Sequence, residues 1–131
     1  MVYLRSLAVW CLLMFTEMLH GTARIFLLVP VMGDFPARQL TVFTGALLIY
    51  TIAFLLIKWI NPTTITQAFS IGALWVTLTL VFEISLGRFA FNMSWQRIAE
   101  DYNLPHGGLM PIGLLLMLLA PYVTAKVRKL L

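Results

Sequence analysis

Glu17, His20 and Arg24 are the side chains best equipped for chemistry in this chain, and all three fall inside its first long apolar run, from Leu7 to Pro30. On a helix, steps of three, four and seven residues place Glu17, His20, Gly21 and Arg24 on one face. An ionisable group at membrane depth costs on the order of 3 kcal/mol or more, so such groups face a protein interior, a partner or water. Four kinds of chemistry suit the stripe. Acid and base can neutralise one another and join helices, with Gly21 admitting close approach. Glu17, or Glu83 further along, can take up and release protons that His20 relays. Glu17-x-x-His20 has the i, i+3 spacing of metal ligands in helical bundles, and His106 opens the last apolar segment on the same side. The stripe can also meet a partner subunit.

Metal and haem fit less well than the other three. A di-metal bundle site needs a second Glu-x-x-His motif, and Leu86 stands three residues after Glu83. A bis-histidine haem would need His20 and His106 at equal depth. No cofactor is therefore expected, with a metal or haem at His20 and His106 as the lesser alternative. The sequence holds no Gly-x-Ser-x-Gly, His-Glu-x-x-His, phosphate-binding loop or dinucleotide fingerprint. Ser85 and Ser94 have no histidine and carboxylate to activate them. The chain is not expected to be an enzyme.

The elements that must carry these residues follow from composition. In 131 residues, 61% apolar and 11% charged, there is too little polar surface to cover a soluble core. The mean hydropathy of +0.94 agrees, and an all-α integral membrane protein is expected. Nucleic-acid binding is excluded, because the net charge of +4 forms no basic face on a soluble domain. Four apolar segments, about 4–32, 37–60, 65–91 and 108–125, each approach the roughly 20 residues that span a bilayer. They form one domain over residues 1–131. The N-terminal run reads as a retained first helix and not a signal peptide, since apolar character resumes at Ile25. That first segment is long enough to tilt, or to break near Pro30.

Turn chemistry divides the segments. Gly33-Asp34-Phe35-Pro36 is a tight turn with Asp34 as the expected cap, and Asn61-Pro62-Thr63-Thr64 is another. Between the third and fourth spans, about 94–103, Ser94 can cap a short helix lying at the interface, with Trp95, Ile98 and Tyr102 on its apolar side. Arg97 and His106 join Trp95 and Tyr102 as possible partner contacts. Gly45, Gly72, Gly87 and Gly113 suit close helix approach. Trp75 is expected to face lipid or a partner, Cys11 to be a small buried hydrophobe, Thr77 and Thr79 to bond back to their own helix, and Pro111 and Pro121 to shape the ends of the last helix.

The two halves echo each other. Glu17 precedes Gly21 by four residues as Glu83 precedes Gly87, Arg24 and Arg88 follow those glycines, and Asp34-Phe35 matches Asp101-Tyr102. Two repeated helical hairpins, or a chance likeness between apolar hairpins, would both give this pattern. A true repeat would bring Glu83 within reach of Arg24. The run Glu17-Met-Leu-His-Gly-Thr resembles the first helix of the small multidrug-resistance transporters, which share the four spans. The likeness is confined to that run, the later helix patterns of that family are missing, and Arg24 departs from a cation-extruding site. The chain is not assigned to the family.

Arg5, Lys58, Lys126, Arg128 and Lys129 gather on one side of the alternating segments, while Arg38 and Arg97 on the other are diluted by Asp34, Glu100 and Asp101. The positive-inside rule then puts both termini in the cytoplasm, as in a bacterial inner membrane. Four spans alone enclose little interior, and no reaction signature is present. The leading expectation is a non-enzymatic accessory or assembly subunit of a larger membrane complex, in contact with lipid and with other subunits or itself. The alternative is a small homo-oligomeric proton-coupled transporter or channel using Glu17, His20 and Glu83.

Overall fold

The computed structural model describes residues 2–131. Its regular elements are helices: α1 (Val2–Met32), α2 (Asp34–Ile60), α3 (Ile65–Ala90), the short α4 (Trp95–Glu100) and α5 (Met110–Val127). All but α4 are long and apolar enough to cross a membrane, and their ends match the expected segments to within a turn.

Local chemistry sets the boundaries. Gly33, at φ +87°, breaks α1 from α2 with a conformation that disfavours a Cβ. Asp34 does not cap α2 as expected: it lies inside the first turn, and its carboxylate turns instead to Arg38. Asn61 adopts the left-handed conformation at the end of α2, just before Pro62. Thr64 Oγ1 accepts from the Gln67 amide at 3.0 Å, and the Gln67 side chain accepts from the Thr63 amide at 2.8 Å, a reciprocal start to α3. Ser94 caps α4, accepting from the Arg97 amide at 3.1 Å.

Helix α1 passes Pro30 without breaking. A π-turn over Arg24–Leu28 widens the backbone one turn earlier, with the Val29 amide bonded to the Arg24 carbonyl. Pro30 has no amide hydrogen and its ring crowds the carbonyl four residues back, so the wider turn accommodates it. A second π-turn, Leu86–Ala90, ends α3, and the Met93 amide then reaches back to Gly87 at 2.9 Å.

Helices α1 and α3 run parallel. The Trp75 indole donates to the Ser6 carbonyl at 2.9 Å, and the Trp10 indole donates to Thr79 Oγ1 at 3.1 Å. Helices α2 and α5 also run parallel, joined by Tyr50 Oη to the Leu116 carbonyl at 2.7 Å and Arg128 to the Phe54 carbonyl at 2.6 Å. The tight core lies toward the end that holds both termini, built on Val9, Leu13, Ile57, Ile71, Trp75 and Ala120.

Several expectations are corrected here. Trp75 is fully buried and faces neither lipid nor a partner. It belongs to the buried stripe Ala68, Ile71, Gly72, Trp75 and Thr79, which a uniformly apolar helix does not advertise. Thr79 accepts from Trp10 and contacts Met117 Sδ at 3.3 Å; it does not bond back to its helix. Cys11 is exposed on the outer face of α1. Pro111 opens α5 as expected, but Pro121 sits inside it. Gly72 does serve close approach, since a Cβ there would strike the Leu118 carbonyl of α5.

Candidate functional site

Away from the tight core the helices enclose a cavity of about 320 Å³. Helix α1 contributes Glu17, His20, Gly21 and Arg24 to its lining, α2 contributes Thr41 and Gly45, and α3 contributes Glu83. The first four share a face because of their spacing, and α1 turns that face inward. The segment after α3 covers this end of the bundle, with Ile98 and Tyr102 among the lining residues.

Glu17 is held from two sides. Its Oε2 lies 3.6 Å from His20 Nδ1, and His20 Nε2 is 2.7 Å from Thr44 Oγ1 on α2, which orients the ring. Gly45 is less a helix contact than the seat of this carboxylate: a Cβ there would stand 2.8 Å from Glu17 Oε2. The other carboxylate oxygen, Oε1, is buried and meets no hydrogen-bonding group among the described residues. Arg24 Nε is buried in the same condition. No arginine nitrogen of position 24 comes within 4.0 Å of a carboxylate oxygen among the described residues, so the anticipated Glu83–Arg24 pair does not form. Gly21 admits no close approach either, for its Cβ direction opens on free space.

The other anticipated site residues divide. Arg88 leaves the glutamates and secures the covering segment, donating to the Met93 carbonyl at 3.2 Å with its guanidinium 5.2 Å from the centre of the Trp95 ring. Trp95 is exposed and does not share the inward face of Ile98 and Tyr102. His106 lies exposed in a 3-10 turn, Leu104–His106, and is not among the residues that line the cavity with His20. Among the described residues no three His, Cys, Asp or Glu side chains gather as a metal site would require.

The cover is fastened by Arg38 and its carboxylate partners, whose charges along the sequence merely offset one another. Arg38 on α2 is 8% exposed. Its guanidinium donates to Asp101 through Nη1 and to Glu100 through Nη2 at 2.8 Å, while Asp34 forms an ion pair 3.1 Å from Nε without hydrogen-bond alignment. Arg97 adds Asp101 at 3.1 Å and Asp34 at 3.8 Å. Gln39 donates to the Gly107 carbonyl at 2.8 Å. The i, i+4 spacings of Asp34 with Arg38 and of Arg97 with Asp101 were the available signal; their convergence was not.

Tyr102, the cavity wall in this cover, has its phenol pushed up to about 12 by burial, with the charges of Glu83 and Asp101 adding to it. It therefore stays a neutral donor at any physiological pH. Between the ordinary value near 10 and about 12 the unfolded chain releases this proton while the folded chain keeps it. The sign is then fixed: stability contributed by Tyr102 is whole below about pH 10 and falls as pH rises through that window. In a phenolate absorbance titration of the folded protein, one of the tyrosines should ionise about two pH units late, and Tyr102→Phe should remove that component. A titration unchanged by the substitution would refute the buried phenol.

Comparison with family models, curated proteins and solved structures gives no match.

Proposed function

We propose that this is a small proton-coupled membrane transporter whose cavity is the shared site for proton and solute. The observation that carries this reading is the set Glu17, Glu83 and Arg24, lining one cavity inside a single chain without ion pairs among them. Charges that only join helices are paired, because an unpaired one in a low-dielectric interior is costly. Charges that receive a ligand are left free. A proton and a charged solute that compete for the same carboxylates lower each other's affinity, which is the physical basis of coupling.

The accessory-subunit expectation drew on four spans enclosing little interior and on the missing reaction signature; the 320 Å³ cavity favours the transporter reading over it. Bacterial inner-membrane placement with both termini cytoplasmic rests on the positive-inside count, and two of the counted arginines, Arg5 and Arg128, lie together at the closed end of the bundle. Under it the cavity lies in the outer half of the membrane. Rocking of one helical hairpin against the other about a fixed site would alternate access.

The test is reconstitution in vesicles holding a trapped pH-sensitive dye, with ethanolamine, phosphoethanolamine, betaine and alkylamines as added solutes. At least one should drive proton movement through the wild-type chain. Glu17→Gln, nearly isosteric and still able to face Gly45, should reduce that movement to the level of protein-free vesicles. Unaltered proton-linked flux in Glu17→Gln, or none with any probe from a chain that purifies only inside a hetero-complex, would end the transporter reading.

A further inference from the structure

Beside the cavity lies a shallow apolar groove. Phe82 and Phe89 of α3 line it, with Trp10 of α1 at its edge. Leu86 lines both the groove and the cavity. At the closed end the seam between α1 and α3 is sealed by the Trp75–Ser6 and Trp10–Thr79 hydrogen bonds. One turn beyond Glu17, Gly21 lines the cavity with no heavy atom within 4 Å of where its Cβ would lie. The cavity and the apolar groove therefore adjoin at Leu86, with open space beside Gly21 on the cavity side.

The lining offers acidic and basic groups together. Glu17 and Glu83 supply carboxyl groups, and Arg24 supplies a guanidinium with a buried unpartnered Nε. The remaining charges of the lining, Arg38, Arg97 and Asp101, compensate one another in the cover. A ligand of one sign would satisfy one set and repel the other, whereas a zwitterion satisfies both. About ten water volumes fit in 320 Å³, room for a headgroup of about that many non-hydrogen atoms.

Resting on the reading of the cavity as a solute site, we propose that cavity and groove together bind one lipid with a zwitterionic aminoalkyl-phosphate headgroup. The ammonium sits at Glu17 and Glu83, the phosphate at Arg24, and an acyl chain lies in the groove against Trp10 and Phe89. Carboxylates suit a compact ammonium, and a guanidinium suits phosphate oxygens. Lateral access through the α1–α3 seam needs no passage of the chain through water. The seam is where Gly21 leaves room for it.

Purified full-length protein in neutral detergent is titrated with lysophosphatidylethanolamine carrying a brominated chain, and tryptophan quenching is followed. Quenching should saturate, and Trp10→Phe should remove its main component. The lysophosphatidylglycerol of equal chain length should bind about ten-fold more weakly, and free phosphoethanolamine should fail to compete at matched concentration. Arg24→Gln should cost about ten-fold in affinity for the zwitterionic lysolipid. Gly21→Leu fills open space and should block binding while the thermal midpoint holds; Leu86→Trp serves as an independent obstruction if it does not. Equal binding of the glycerol headgroup, equal competition by phosphoethanolamine, or quenching indifferent to Trp10→Phe would each overturn the lipid site. Selective lysolipid binding without proton movement would keep this site and end the transporter reading. Proton-coupled flux of a water-soluble probe with no lysolipid binding would do the reverse.

Discussion

Replacing Arg38 by methionine should lower the stability of the protein by about 3 kcal/mol and release the cover of the cavity. The side chain is 8% exposed and stands among Asp34, Glu100 and Asp101, with the Phe35 ring centre 5.1 Å from its guanidinium. Methionine fills much of the same volume but leaves three carboxylates facing one another without a cation. The cost sits at the lower end for a broken buried pair, since the partner side chains are 35–53% exposed and water can solvate them. Arg38→Lys should recover less than half of the loss, because one ammonium cannot serve three carboxylates through a planar fork. Thermal unfolding in detergent, with limited proteolysis between residues 91 and 110, reads both effects. A methionine variant with wild-type midpoint and an uncut cover would show that the network contributes nothing.

Gly72→Ala should lower stability by about 3 kcal/mol through a single methyl. In an unhindered helix the same change is favourable by about 1 kcal/mol. At Gly72 the added Cβ would overlap the Leu118 carbonyl oxygen and crowd its Cα, which are backbone atoms of α5. A flexible side chain could swing aside; a helix backbone moves only with its neighbours. The paired control is Gly21→Ala, which meets nothing within 4 Å and should leave the midpoint unchanged or slightly raised. Measured in the same detergent, equal midpoints for the two alanine variants would mean that α3 and α5 do not pack backbone to backbone here.

These two sites show how unevenly the fold could be read in advance. Apolar runs bounded by Gly33, Asn61-Pro62 and Ser94 announce their helices, because turn residues and missing amide donors act locally. Pro30 announced a disturbance as well, although the chain absorbed it in a π-turn at Arg24–Leu28 and did not break. The buried stripe of α3 stayed hidden for a plain reason. In a helix apolar all round, the side facing protein and the side facing lipid have the same composition. Composition points Trp75 outward, yet it is fully enclosed. It points Cys11 inward, yet that residue is exposed.

The candidate site divides in the same way. Helical spacing alone put Glu17, His20, Gly21 and Arg24 on one face, since 3.6 residues per turn is a property of the backbone. The near-repeat in the second half also singled out Glu83. Which groups meet across helices was beyond reach: Glu17 settles against Gly45, His20 against Thr44, and Arg88 against Met93 and Trp95. Arg38 gathers the carboxylate of Asp34, one turn away, and those of Glu100 and Asp101, 62 and 63 residues further along the chain. By itself the sequence determined that four apolar helices carry an ionisable stripe, because element type, length and facing depend on neighbours within a turn or two. Only the tertiary structure decided that the stripe lines a cavity, with Glu17 Oε1 and Arg24 Nε left unpartnered. That outcome depends on how α1, α2 and α3 rotate and cross, a balance of packing contacts spread over the whole bundle.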